Sequence, residues 1–220
     1  MIELAVFDWN GTLFADSQAC VDSGNDLIRH FGGQPISKGR YIKEFDFPVV
    51  DFLCAQGCDR EALLKPESAE VFHHYYEPRA AKCRTRRGTR YTLNQLKDRS
   101  IDSVILSNHM THAIVKQLER LHLTDYFDEV LGNGDYHAVS KGKNKVERIV
   151  GYMARKDHNP KNAFIVGDSP EDIEVGKELG IVTVGITDGY FYNPRLRASN
   201  PDYLVSTVAQ VMGVVDELSL

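Results

Sequence analysis

The sequence predicts an α/β fold in which helices cover both faces of a mainly parallel sheet. Short apolar runs that are typical of strands occur at 2–7, 103–106, 129–131, 164–166 and 181–186. Between them, at 89–99, 111–121 and 144–155, apolar residues recur at helical spacing. Strands that alternate with helices indicate βαβ units, and strands without polar alternation indicate a sheet buried on both faces. We therefore expect a doubly wound α/β sheet.

Residues 15–85 interrupt this alternation of strands and helices. They contain no convincing strand, and their candidate helices lie at 22–31, 47–56 and 60–76. Glycine and proline residues separate these stretches, as expected of loops between helices. The sequence thus predicts an α-helical domain at 15–85, inserted after the first strand of an α/β core that comprises 1–14 and 86–220.

The composition narrows the class of protein. With 42% hydrophobic and 26% charged residues, the chain is typical of a globular protein. Its net charge of −5 gives no basic footprint for nucleic acid. No apolar run approaches the roughly 20 residues of a membrane-spanning helix. The N-terminal apolar run ends too early for a signal peptide. Four unclustered cysteines favour reduced thiols and a cytoplasmic location, and nothing indicates the oligomeric state.

Polar residues follow three of the predicted strands. Asp8 comes directly after the first strand, Ser107 and Asn108 after the second, and Asp168 shortly after the fourth. The carboxyl ends of parallel strands line one crevice, so we expect these groups to meet there. Asp172 adds another acid to the same crevice. A set of oxygen ligands of this kind suits Mg²⁺ better than zinc.

Each of these segments also has a simple structural explanation. Residues 169–172 (SPED) form a good helix start, with Ser169 as N-cap and a proline after it. Asn10 and Gly11 could form an ordinary turn, and residues 107–108 could cap the next helix. Polar groups at three strand ends together favour a shared site over three separate coincidences.

Three segments resemble the motifs of the haloacid dehalogenase (HAD) superfamily, in the same order. They are residues 8–13 (DWNGTL), 107–108 (SN) and 167–172 (GDSPED). The resemblance covers nearly the whole chain, and the insertion resembles the helical cap of the phosphoglycolate-phosphatase and β-phosphoglucomutase-like branch. It implies a Rossmann-like core with a cap domain, and a Mg²⁺-dependent hydrolase that acts on a small phosphorylated metabolite.

The resemblance also assigns roles to individual residues. Asp8 would be the nucleophile that forms an aspartyl-phosphate, and Ser107 would donate a hydrogen bond to the phosphoryl group. Mg²⁺ would be held by Asp8, Asp168, the backbone carbonyl of Asn10 and, through water, Asp172. The other residues expected to bind phosphate are Trp9, Gly11, Thr12, Asn108 and a lysine.

That lysine belongs to the run at 140–145 (SKGKNK), which offers Lys141, Lys143 and Lys145. The family lysine lies just before a helix. If Asn144 caps that helix, Lys143 stands just outside it and is free to reach the site. We therefore predict Lys143 as the lysine that completes the catalytic set. The run could also be a solvated basic face.

Asn10 departs from the family pattern. Phosphatases of this family usually have aspartate there, as general acid and base, and an amide cannot transfer the proton. Such help is typically worth about 10²–10⁴-fold in rate. The departure predicts a site that binds Mg²⁺ and phosphate but turns over slowly. Acyl and aryl phosphates, whose leaving groups need no proton, should be favoured.

Several explanations of Asn10 stay open at this point. The chain could be a slow phosphatase, or one in which His109 supplies the proton. It could be a phosphate-binding or regulatory module without catalysis. Position 10 could also be engineered, or could deamidate to aspartate, because Asn-Gly is a flexible pair.

Overall fold

The computed structural model describes residues 1–46, 48–65, 67–134 and 144–220. Within these residues the chain divides into two compact units. The first unit comprises 1–15, 84–134 and 144–220, and the second comprises 16–83. No helix of the described residues combines the length and the apolar character that crossing a membrane requires.

The first unit is built on a parallel sheet, with six strands in the described part of the chain. They are β1 (Leu4–Phe7), β2 (Asp102–Met110), β3 (Glu129–Asn133), β4 (Ala163–Gly167), β5 (Val182–Ile186) and β6 (Tyr203–Val205). Their order is β3-β2-β1-β4-β5-β6, and every neighbouring pair is parallel. The prediction of an α/β fold with a parallel sheet is confirmed. The three-residue strand β6 was not predicted.

The helices of the described residues span both units. In chain order they are α1 (Ser17–His30), α2 (Lys38–Glu44), α3 (Val49–Ala55), α4 (Arg60–Leu63), α5 (Ser68–Ala80), α6 (Thr89–Asp98), α7 (Thr111–Leu121), α8 (Lys145–Lys156), α9 (Pro170–Leu179), α10 (Asn193–Ala198) and α11 (Val211–Leu218). Helices α1 to α5 lie in the second unit. Short 3₁₀ turns occur at Thr124–Tyr126, Pro160–Asn162 and Val208–Gln210.

The core of the first unit lies on both faces of the sheet. On one face, Leu4, Val6 and Ile165 pack with residues of α8 and α9 in a single hydrophobic cluster. Side chains of the alternate positions are buried as well, among them Phe7 and Phe164, whose rings meet edge to face. A strand with both faces buried needs no polar alternation, which explains the continuous apolar runs in the sequence.

The second unit is helical, and α1 packs against α5. The Tyr76 hydroxyl donates to the buried Asp16 carboxylate at 2.6 Å, and Arg79 pairs with Asp26, also at 2.6 Å. Burial raises the pKa of Tyr76 well above its ordinary value, so its hydroxyl remains a donor to that carboxylate.

Two helix predictions for the second unit differ from the structure. The single helix expected at 60–76 is two helices, because α4 ends at Leu63 and α5 begins at Ser68. The Ser68 hydroxyl donates to the Leu63 carbonyl at 2.6 Å and satisfies the end of α4. Helix α2, which was not predicted, is capped by Ser37, whose hydroxyl accepts from the Arg40 backbone N–H.

Candidate active site

The site forms where the central strand β1 ends. Phe7 is in register with Ile105 of β2 and with Val166 of β4. The Asp8 N–H extends this pairing by donating to the Val166 carbonyl at 2.9 Å. Because these strands are parallel and in register, the residues after them emerge at one edge of the sheet.

Three carboxylates meet at this edge. One oxygen each of Asp8, Asp168 and Asp172 lies within 4.8 Å of the others, and all three side chains are buried. Lys145 is also buried, and its Nζ donates to Asp8 Oδ1 at 3.0 Å and to Asp172 Oδ1 at 2.7 Å. The Glu171 carboxylate lies 4.0 Å from the same Nζ.

Lys145 occupies this place because it is the first residue of α8, directly after the N-cap Asn144. Helical side chains tilt toward the helix N-terminus, so a lysine in the first turn reaches the strand ends. Lys143 and Lys141 lie outside the described residues, and the prediction that favoured Lys143 stays a prediction. Lys145, which the sequence left open as an alternative, contacts Asp8 in the described part of the chain.

The electrostatics of the cluster favour an added cation. Burial raises the pKa of Asp8 well above its ordinary value; the Lys145 charge opposes this shift, and the charges of Asp172 and Asp168 add to it. Burial disfavours the charged form of Lys145, but Asp172, Asp8 and Glu171 outweigh it and raise the pKa of the ammonium group. The lysine therefore stays charged inside an excess of carboxylates.

Asp168 is held in place by the loop that follows β5. Its Oδ2 accepts from the backbone N–H groups of Tyr190 and of Phe191, and its Oδ1 accepts from the Thr12 hydroxyl at 3.3 Å. A Cβ on Gly189 would lie 2.3 Å from Oδ2. Only glycine allows this backbone to approach the carboxylate so closely.

Asp172 has both of the roles that the sequence left open. It forms a capping box with Ser169, whose N–H and hydroxyl donate to Asp172 Oδ2 at 3.2 and 2.7 Å. The other oxygen, Oδ1, accepts from Lys145. The capping box of α9 and the acidic site therefore share the Asp172 side chain.

A tight turn carries Asn10, two residues after Asp8. The Gly11 N–H donates to the Phe14 carbonyl at 3.0 Å, and Gly11 has a φ of +76°. Arg86, which the sequence did not single out, donates to the Gly11 carbonyl at 2.7 Å and to the Thr187 carbonyl at 2.8 Å. Asn10 is half-buried in this turn. Its backbone carbonyl as a metal ligand stays a prediction.

Trp9 is the single tryptophan of the chain and is fully buried. Its ring stacks on Phe14, with the ring centroids 5.0 Å apart. The indole N–H has no hydrogen-bond partner among the described residues. Because Trp9 adjoins Asp8, its fluorescence offers a direct readout of binding at the site.

Ser107 and Asn108 lie within β2, which continues to Met110 and shifts its register with β3 after Leu106, so the strand is longer than the run at 103–106 that the sequence predicted. The buried Ser107 hydroxyl accepts from the His109 N–H at 3.2 Å. The Asn108 amide donates to Glu171 Oε2 at 2.6 Å, which links this part of β2 to the start of α9. The sequence analysis did not identify Glu171. The signal it offered was that Glu171 is a second acid, next to Asp172 in the chain. The proposed proton transfer by His109 stays a prediction.

The donor set of Asp8, Asp168 and Asp172 fits a hard divalent cation. Carboxylate oxygens are the ligands that Mg²⁺ prefers, and three of them from separate side chains lie within reach of one ion. A cation would also relieve the repulsion that raises the pKa of Asp8. No histidine or cysteine belongs to this three-aspartate cluster, so its chemistry does not suit zinc.

We expect Lys145→Met to lower kcat toward an aryl phosphate by about 10²–10³-fold, because the variant lacks a preorganised positive charge that would stabilise the phosphoryl oxygens. Breaking a buried ion pair should also reduce the free energy of unfolding, by roughly 3–5 kcal/mol. Initial rates and urea unfolding would measure the two effects.

Lys143→Met is the matched control for Lys145→Met. It removes the same charge two residues earlier and is expected to leave both quantities near their wild-type values. A large loss of activity in Lys143→Met, with wild-type activity in Lys145→Met, would instead support the original sequence prediction.

The fold and the site define the class of protein: an α/β enzyme with an acidic, lysine-bridged centre at the carboxyl end of a parallel sheet. The model of the family "haloacid dehalogenase-like hydrolase" matches residues 5–186. The chain belongs to the haloacid dehalogenase-like hydrolases. The resemblance that the three motifs carry is thereby confirmed.

Curated proteins and a solved structure support this membership. A phosphoglycolate phosphatase from Vibrio vulnificus is 25% identical over 97% of this chain and 96% of its own length. One from Aquifex aeolicus is 28% identical over 98% and 97%. A structure described as a predicted phosphatase from Clostridium acetobutylicum is 20% identical, with a TM-score of 0.83 over 99% of both chains. The prediction of an enzyme of the phosphatase type is confirmed at the level of the family.

Proposed function

We propose that this chain is a Mg²⁺-dependent phosphatase that hydrolyses a small phosphate monoester through an aspartyl-phosphate on Asp8. One observation carries the proposal: Lys145 bridges Asp8 and Asp172 in a buried cluster that also includes Asp168. With Lys145 beside it and a cation to offset its burial, the Asp8 carboxylate would stay ionised and could act as a nucleophile without a general base. What it needs is charge neutralisation for an approaching phosphate.

Asp8, Asp168 and the Asn10 carbonyl would hold Mg²⁺, with Asp172 behind them. When bound, the ion neutralises charge on the phosphoryl oxygens and on Asp8. Asp172, which also caps α9 and accepts from Lys145, would contact the ion through water, as the family resemblance implies. The proposed cap, residues 16–83, would exclude water and select the substrate.

The residues of the chain supply the two chemical steps. An Asp8 carboxylate oxygen attacks phosphorus, forms a new P–O bond and releases the ester oxygen as the leaving group. Lys145 and the Ser107 hydroxyl stabilise the charge on the phosphoryl oxygens. Water then attacks the aspartyl-phosphate at phosphorus, which releases inorganic phosphate and regenerates the Asp8 carboxylate.

Asn10 limits both steps. The leaving oxygen needs a proton when it departs from an alkyl ester, and the attacking water must lose one. An amide side chain provides neither, so solvent must do so at a lower rate. We infer that aryl and acyl phosphates are converted faster than alkyl phosphates.

For the substrate, we propose a small phosphorylated metabolite. The curated relatives from V. vulnificus and A. aeolicus are named phosphoglycolate phosphatases. Phosphoglycolate is therefore the first alkyl phosphate to test, beside a panel of other phosphorylated acids and sugars.

The test is the hydrolysis of an aryl phosphate by the intact chain, first stripped of metal with EDTA and then titrated with Mg²⁺. We expect activity to disappear with EDTA and to return with Mg²⁺. The same titration should change the Trp9 fluorescence, so metal binding is measured independently of turnover. Activity that is indifferent to both treatments contradicts a Mg²⁺-dependent phosphatase.

A phosphate-binding or regulatory module is the second candidate function, and Asn10 is the observation that favours it. Such a module would bind Mg²⁺ and inorganic phosphate, both seen through Trp9, yet would hydrolyse none of these esters. The two candidates therefore share their binding properties and differ in turnover.

A further inference from the structure

Arg148 lies behind the proposed phosphate site and is half-buried. One nitrogen of its guanidinium group, Nη1, donates to the carbonyls of Ser107 at 2.7 Å and Leu131 at 2.5 Å. The other, Nη2, donates to Asn144 Oδ1 at 2.7 Å and lies 3.4 Å from Asn108 Oδ1. Arg148 thus connects helix α8 to the ends of two neighbouring strands.

Three asparagines complete these connections. The buried Asn133, the last residue of β3, donates to the Asn108 carbonyl at 2.7 Å and accepts from the Asn144 amide at 3.0 Å. Asn144 in turn accepts from Arg148. We call Arg148, Asn108, Asn133 and Asn144 the Arg148 network. Its bonds close a ring that joins the ends of β2 and β3 to the start of α8.

The Arg148 network adjoins both groups that would bind the phosphoryl oxygens. Ser107 gives its carbonyl to Arg148, and Lys145 directly follows Asn144 in the chain. On the premise of the proposed phosphatase function, we propose that Arg148 is a positioning residue: it fixes the Ser107 hydroxyl and the Lys145 ammonium relative to each other around the phosphoryl group.

The chemistry of this position requires a guanidinium group. Its five donors lie in a rigid plane, so one side chain can satisfy carbonyls on two strands and a side chain on the helix. A lysine provides a single nitrogen and cannot span these acceptors. Small misplacements of groups around a reacting centre cost up to about 10²-fold in rate, so an arginine that contacts no substrate can still affect catalysis.

Asp8 and Asp168 lie outside the Arg148 network. They follow β1 and β4, and among their hydrogen-bond partners are Val166, Lys145, Thr12, Tyr190 and Phe191. Loss of the network should therefore displace the phosphate-binding groups and leave the Asp8–Asp168 pair in place. This separation distinguishes a positioning role from a general structural one.

The experiment compares Arg148→Gln, Arg148→Lys and the wild-type chain. We expect Arg148→Gln to weaken inorganic phosphate binding and to lower kcat by about 10–100-fold each. Its Mg²⁺ affinity, followed by Trp9 fluorescence, should not fall. Arg148→Lys keeps the charge, with its three donors on a single nitrogen, and should recover part of the loss.

The matched control is Arg155→Gln, seven residues later on α8. Arg155 is exposed and pairs with Glu129 at 2.7 Å, away from the strand-end carbonyls. We expect this variant to bind phosphate and turn over as the wild type does. If Arg148→Gln does not fold, Asn144→Ala is the alternative. It removes the half-buried Asn144 amide from the same ring and should also weaken phosphate binding.

Wild-type phosphate affinity and kcat in these network variants would overturn the inference, as would equal losses of Mg²⁺ and phosphate affinity. Either result would leave the proposed phosphatase function intact, because the wild type would still bind and hydrolyse. If the wild type neither binds phosphate nor hydrolyses any ester, the proposed function fails, and the positioning role fails with it.

Discussion

Replacement of Asp8 by asparagine is expected to abolish hydrolysis of every phosphate ester, with kcat falling by roughly 10⁴-fold or more. The amide cannot form the aspartyl-phosphate, so no alternative route through this site remains. The fold should survive. Burial raises the pKa of Asp8 despite the opposing charge of Lys145, and Lys145 keeps Asp172 as a partner in the variant, so the midpoint of urea unfolding should not fall.

Asp216→Asn is the matched control for Asp8→Asn. It makes the same chemical change at an exposed carboxylate, which pairs with Arg99 on the first unit. Its kcat should equal that of the wild type. If Asp8→Asn retained the wild-type rate, the nucleophile would be misassigned and the proposed function would have to be abandoned.

The second large effect is expected from Asn10→Asp. A carboxyl group restores proton transfer to the leaving oxygen and from the attacking water, which should raise kcat by about 10²–10⁴-fold on an alkyl phosphate. The gain on an aryl phosphate should be smaller, because its leaving group needs no proton. Parallel assays with phosphoglycolate and an aryl phosphate measure this difference directly.

Asn10→Ala serves as the comparison, since it removes the amide without adding an acid and should bring no gain. An Asn10→Asp variant that is no faster than the wild type would indicate that another group supplies the proton, with His109 as the next candidate. An inert wild type together with an active Asn10→Asp variant would support a module whose catalysis is disabled.

Chemical conversion of Asn10 to aspartate must be controlled in these assays. Deamidation of an Asn-Gly pair requires the glycine nitrogen to attack the asparagine side chain. Here the Gly11 N–H donates to Phe14, and Arg86 holds the Gly11 carbonyl. This fixed geometry opposes the reaction, and the mass of the peptide 1–29 would show any conversion.

The strand ends of the site were predictable because the sheet is parallel. Once apolar runs before Asp8, Ser107 and Asp168 are taken as parallel strands, their polar successors must emerge at one edge. The structure brings Asp8, Asp168 and Asp172 within 4.8 Å of one another. Parallel strands and the polar residues after them were enough to predict this part of the site.

The lysine was harder to predict because the start of α8 does not decide it alone. Three lysines alternate at 141–145. Asn144 is the N-cap in the structure, as predicted, but a lysine on either side of a helix cap could reach the carboxylates. In the structure the first residue of α8 is Lys145 itself, and its side chain runs back to the strand ends.

Arg86 and Arg148 could not be found from sequence. Both act mainly on backbone carbonyls, at Gly11 and Thr187 or at Ser107 and Leu131, and a carbonyl is present at every residue. No spacing or partner side chain marks such an arginine in advance. The strand β6 was missed for a related reason, since three residues are too short to show a pattern.

The central position of β1 has a consequence for biosynthesis. Leu4 pairs with Asp102 on one side and with Ala163 on the other, so β1 leaves the ribosome well before the two strands that pair with it. The helical residues 16–83 are contiguous and can fold as soon as they emerge. Contacts so distant in sequence form slowly. We therefore expect a nascent chain that stops short of β4 to hold a folded helical unit and a strand β1 that still lacks β4 as a partner.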